Sequence, residues 1–71
     1  MFAKEVFHID REGWAMFTDA TGGLNLGTLR NVDGKYQIEN IWTSCIDTQS
    51  NRDKLFGVWK ANSFSREIKT R

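Results

Sequence analysis

His8 and Asp10 stand two residues apart at the end of a strand-like segment. On a strand, residues i and i+2 share a face, so an imidazole and a carboxylate there lie side by side. That is the arrangement of a general base oriented by a carboxylate, or of two ligands of a metal site. Nothing visible in the sequence completes either constellation. The chain holds one histidine and one cysteine, which excludes a four-ligand His/Cys zinc site. The structural alternative, a solvated pair at the end of a strand, is the stronger reading.

Cys45 follows Ser44 and would act as a nucleophile only beside a base that lowers its pKa. The sole histidine is 37 positions away. Followed by Ile46, Cys45 reads instead as a small buried hydrophobe. Gly22, Gly23 and Gly27 match neither the GxxxxGK[ST] nor the GxGxxG phosphate-binding pattern, and strand-like residues flank them on both sides, so they are turn glycines. The last third of the chain combines Lys60, Phe64, Arg66, Lys69 and Arg71. Cations that neutralise phosphates, with a ring to stack on an unpaired base, suit nucleic acid. Glu67 interrupts this group and the net charge of the chain is only +1, so a solvated basic end is the competing reading.

The elements that must position these groups belong to a chain of 71 residues with three Trp, five Phe and one Tyr. That length implies one domain and leaves stability marginal, since a chain this short buries only about 60% of its unfolded surface. One cysteine rules out an internal disulfide. The aromatic core must then suffice, or the chain gains stability by pairing with itself or a partner. A lone cysteine suits a reducing compartment. No stretch approaches the roughly 20 apolar residues of a membrane span, and residues 1–4 lack a signal-peptide pattern; the expectation is a cytoplasmic protein. Charge is uneven: residues 1–43 carry four basic and six acidic side chains, and residues 44–71 carry six basic and three acidic.

Four extended segments come first. Residues 2–9 and 14–18 are separated by Asp10-Arg11-Glu12-Gly13, a turn. Trp14 and Met16 fall on one face of the second segment, Ala15 and Phe17 on the other. Residues 19–23 break the chain before residues 24–32, in which Leu24 and Leu26 are in phase and Leu29 is not. Gly27 between them suggests a bulge. Asp33-Gly34 is a type I′ hairpin signal. It sets Val32 opposite Lys35, Leu29 opposite Ile38 and Leu26 opposite Ile41. Tyr36, Ile38 and Trp42 are then in phase on the returning strand. A helix follows a polar connection, with Ser50 as its cap. Leu55, Phe56, Val58 and Trp59 form its apolar stripe, and Gly57 lies outside it. Asn62-Ser63 ends or bends that helix, and beyond it Phe64 and Ile68 lie one helical turn apart.

The architecture these patterns predict is α+β: an antiparallel sheet of three or four strands with a C-terminal helix on one face, lying against Tyr36, Ile38 and Trp42. A small all-β barrel is the alternative. Trp42 and Trp59 are expected to be facing halves of one core. A single helix covers one side of a sheet, yet both faces carry large apolar groups. Trp14, Phe17 and Ile41 are therefore the expected partner-binding residues, unless the sheet curls or the first strand covers them. The function that follows is a small binding protein without catalysis, metal or cofactor. It would contact another protein, in the manner of bacterial or phage-type regulators and inhibitors, with homodimer formation as one route. Nucleic-acid binding through the basic C-terminal segment is the alternative. No membrane role is expected.

Overall fold

The computed structural model describes residues 1–61. Its strands are β1 (Glu5–Ile9), β2 (Trp14–Thr18), β3 (Leu24–Val32) and β4 (Lys35–Cys45), followed by one helix, α1 (Gln49–Ala61). The sheet is antiparallel in the order β1-β2-β3-β4 and remains open, so the barrel alternative does not hold. The α+β expectation does. No described helix is long and apolar enough to cross a membrane.

Two of the turns share one local design. Asp10 and Asp19 each begin a D-x-x-G segment whose glycine, Gly13 or Gly22, has positive φ. The Asp10 carboxylate accepts the backbone N–H groups of Glu12 at 3.0 Å and Trp14 at 2.9 Å. The Asp19 carboxylate accepts those of Thr21 at 3.0 Å and Gly23 at 2.9 Å. Each aspartate thus meets the donors that the reversing chain strips from the ladder, and glycine supplies the left-handed residue. The third turn is the expected one: Asp33 and Gly34 have φ of 54° and 84°, as a type I′ turn requires.

Alternation sorts the sheet's side chains onto two faces, and each face has its own core. On one, Met16, Leu24, Leu26 and Leu55 are buried with Phe7, Cys45, Phe56, Val58 and Trp59 packed around them. On the other, Ala15, Phe17 and Leu29 are buried beneath Ala3, Val6, Tyr36 and Ile38. The helix therefore packs against β2 and β3. The expected Leu55, Phe56, Val58 and Trp59 stripe is the side it buries, but Tyr36 and Ile38 are not its partners.

The N-terminal segment covers the second face. Val6 lies opposite Phe17. Before β1, the chain crosses to the far edge of the sheet, where Phe2 bridges Gln37. The Ala3 N–H donates to the Tyr36 carbonyl and the Ile38 N–H to the Met1 carbonyl, both at 2.8 Å. The expected continuous strand over residues 2–9 is thus divided between two edges of the sheet. Phe17 is enclosed as a result, at 0% exposure.

Irregular registers decide the rest. On β1, Val6 faces Phe17 and His8 faces Met16, leaving Phe7 as an inserted residue. On β4, Leu29 pairs with Ile38 as expected, but Leu26 pairs with Thr43, not Ile41. Ile41 lies opposite Gly27, so Glu39 and Trp42 are the inserted residues. The irregularity expected at Gly27 is present, with its extra residue on the partner strand. Gly27 is what lets the strands approach there. A Cβ on it would fall on the Asn40 carbonyl oxygen and lie 2.9 Å from the Ile41 Cα.

The helix is capped two residues earlier than Ser50, the cap expected from the sequence. Thr48 is its cap, its Oγ1 accepting the Asn51 N–H at 3.1 Å. Asp47 and Arg52 clamp this end through two parallel bonds of 2.6 and 2.9 Å, and the same guanidinium sits 4.6 Å above the Phe7 ring.

Candidate functional site

The chemistry-bearing residues are dispersed into structural work. His8 does not stand in solvent beside Asp10. Its ring lies 4.4 Å from that of Phe56 and 5.2 Å from that of Trp59, so the imidazole packs β1 onto α1, while Asp10 holds its own turn. Cys45 is half-buried against the helix-side core, as a small hydrophobe would be. No cluster of three or more His, Cys, Asp or Glu side chains suited to a metal ion occurs among the described residues.

The strongest polar arrangement is the Asp19 turn. Besides its two backbone donors, Asp19 accepts from the Thr21 hydroxyl at 2.6 Å and from the Asn25 amide at 3.1 Å. Asn25 is buried and also donates to the Gly23 carbonyl at 3.1 Å. These bonds, led by those from Thr21 and Asn25, pull the Asp19 carboxyl down to about 2. Every one of them comes from the turn or the start of β3, which makes Asp19 a structural carboxylate. Asp47 is likewise held below the ordinary carboxylate range by the hydrogen bond from Arg52.

Among the described residues, exposed large apolar side chains fall in two places: Met1, Phe2 and Ile9 near the start of the chain, and a group at the end of β4. In that group Ile41 is 49% exposed, Trp42 56% and Ile46, just past the strand, 77%. Residues 40–46 contain no charged side chain. The acids on either side are neutralised within the chain: Glu39 pairs with Arg30 at 3.2 Å and Asp47 with Arg52 at 2.6 Å. Trp42, the inserted residue of the second irregularity, places its ring edge-on to Trp14 at 6.2 Å. β4 is also a terminal strand. Among the described residues its outer side is paired only around Gln37, by residues 1–3, and no backbone partner lies along residues 40–45.

The expected partner-binding trio is therefore divided. Ile41 is on the exposed surface. Trp14 is half-buried, its backbone carbonyl accepting the Trp59 indole N–H at 3.2 Å. Phe17 is enclosed and presents nothing to a partner. The roles of the tryptophans reverse the expectation: Trp14 is tied to Trp59, and Trp42 is the one turned outward. Ile46 and Trp42 went unrecognised as surface residues, although the seven-residue run without charge was visible. Of the basic set, Lys60 is exposed on α1, its Nζ 5.6 Å from the centre of the Phe56 ring; Phe64, Arg66, Lys69 and Arg71 lie outside the described residues, as does the break at Asn62-Ser63. No family model, curated protein or solved structure matches the chain.

Proposed function

We propose that this chain is a small binding protein that acts without catalysis, covering a surface of another protein and so regulating or inhibiting it. The observation that carries this reading is the exposed, uncharged stretch with Ile41 and Trp42 on the terminal strand and Ile46 just past its end. Folding leaves such groups in water only at a cost of roughly 25 cal/mol per Å² of apolar surface, and contact with a partner recovers it. Aromatic side chains at the centre of a contact contribute most of its energy, which points to Trp42. Trp14 supports that ring from beside it.

The test is capture of a partner from lysate by the intact chain and by Trp42→Ala and Ile41→Lys. The expected result is a partner held by the wild-type chain, insensitive to nuclease, weakly dependent on salt and lost from both variants. Capture that survives both substitutions overturns the reading. Binding that vanishes with nuclease, falls steeply with salt and is abolished by removal of residues 64–71 supports nucleic-acid recognition by the basic end instead.

A further inference from the structure

We propose that the occupant of the β4 edge is a second copy of this chain, paired antiparallel to residues 40–45. The inference rests on the reading of β4 as a protein-contact surface. It starts from a pairing already present on the same edge. Residues 1–3 lie antiparallel to β4, with hydrogen bonds of 2.8 Å at Tyr36 and Ile38. The outer side of β4 therefore accepts a strand, and that row of backbone groups continues without a partner among the described residues along residues 40–45.

The absence of charge suits a second copy. Natural proteins guard exposed edges with lysine, proline, inward charges or β-bulges. Residues 40–46 carry no charge and no proline, and the inserted Trp42 is the one such guard among them. A two-fold axis brings each group near its own counterpart, so any charge in this stretch would meet its like. The flanking acids, Glu39 and Asp47, are each neutralised within the chain by Arg30 and Arg52. An antiparallel pair also satisfies N–H and C=O groups reciprocally, and it brings Ile41 and Trp42 of one copy beside the edge of the other. The bulge at Trp42 keeps the paired segment short. A paired segment this short makes a dimer that forms reversibly and with concentration.

Sedimentation of the full chain over a concentration series reaching about 1 mM tests this. The weight-average mass should rise toward twice the monomer value. Backbone amides in residues 40–45 should exchange with deuterium more slowly at high concentration than at low. Thr43 is exposed on β4, so Thr43→Lys and Thr43→Glu keep the fold, which circular dichroism checks. Each variant alone should remain monomeric, and an equimolar mixture should dimerise. A monomer at every concentration overturns the self-pairing. So does a dimer indifferent to both substitutions and without added protection at residues 40–45. Either result leaves the protein-contact reading to its own test, since capture of a different protein that depends on Trp42 would still stand.

Discussion

The Trp59 indole N–H donates to the backbone carbonyl of Trp14 at 3.2 Å. This bond joins the last turns of α1 to the first residue of β2, and the His8 ring stacks beside it on Trp59. The contact fixes the helix where its apolar stripe covers Met16, Leu24 and Leu26. Trp59→Phe keeps an aromatic ring but removes the donor. The expected loss is about 1 kcal/mol, the net worth of one such bond, read as a lower midpoint in urea unfolding with an unchanged slope.

Two glycines with no structural resemblance should respond to alanine in opposite directions. Gly27 lies against the Asn40 backbone, which has no flexible end to move aside, so Gly27→Ala should cost about 3 kcal/mol or more. Gly57 is on the outer face of α1 with open space around it. There Gly57→Ala should stabilise by roughly 0.5–1 kcal/mol, because alanine has less freedom to lose in a helix. Thermal unfolding of both variants checks the pair, and a Gly27→Ala protein as stable as wild type would refute the close approach.

Phe17 and Trp42 are both large, and the fold treats them differently. Phe17→Ala removes an enclosed ring and should destabilise by about 3–5 kcal/mol. Trp42→Ala removes a mostly exposed ring and the edge contact with Trp14, worth about 0.5–1.5 kcal/mol. Denaturant titration of the two variants measures the contrast.

Acid should loosen the turn between β2 and β3. The Asp19 carboxyl is lowered to about 2 by the bonds it accepts, against an ordinary value of about 3.9. A depressed folded-state pKa means that the unfolded chain takes up the proton first. The stability this supplies is complete above the ordinary value and is lost as pH falls through it towards about 2. Asp19→Asn should therefore lower the melting temperature at neutral pH and lose less than wild type on acidification. The two melting curves should converge near pH 2; a constant gap between them would exclude an ionised Asp19 as the holder of the turn.

Much of this molecule is written in short stretches of chain. Aspartate and glycine three apart at Asp10 and Gly13, the same spacing at Asp19 and Gly22, and the Asp33-Gly34 pair determine where the chain reverses, because those conformations are local demands that few residues meet. Alternation within Trp14–Thr18 divided its residues correctly between two faces, and helical spacing placed Leu55, Phe56, Val58 and Trp59 together. Tertiary structure alone decided which of those faces would be open. Inserted residues at Phe7, Glu39 and Trp42 change the phase of β1 and β4; Gly27 marked one irregularity, but nothing in the strand-like residues of β4 showed that the extra residue would fall on that strand. Phe17 became core only because the segment before β1 returns to pair with Tyr36 and Ile38, a contact between distant parts of the chain. Trp14 and Trp42 exchanged their expected roles for the same reason: burial of a ring depends on what the whole chain brings over it, and local pattern specifies only the side to which it points.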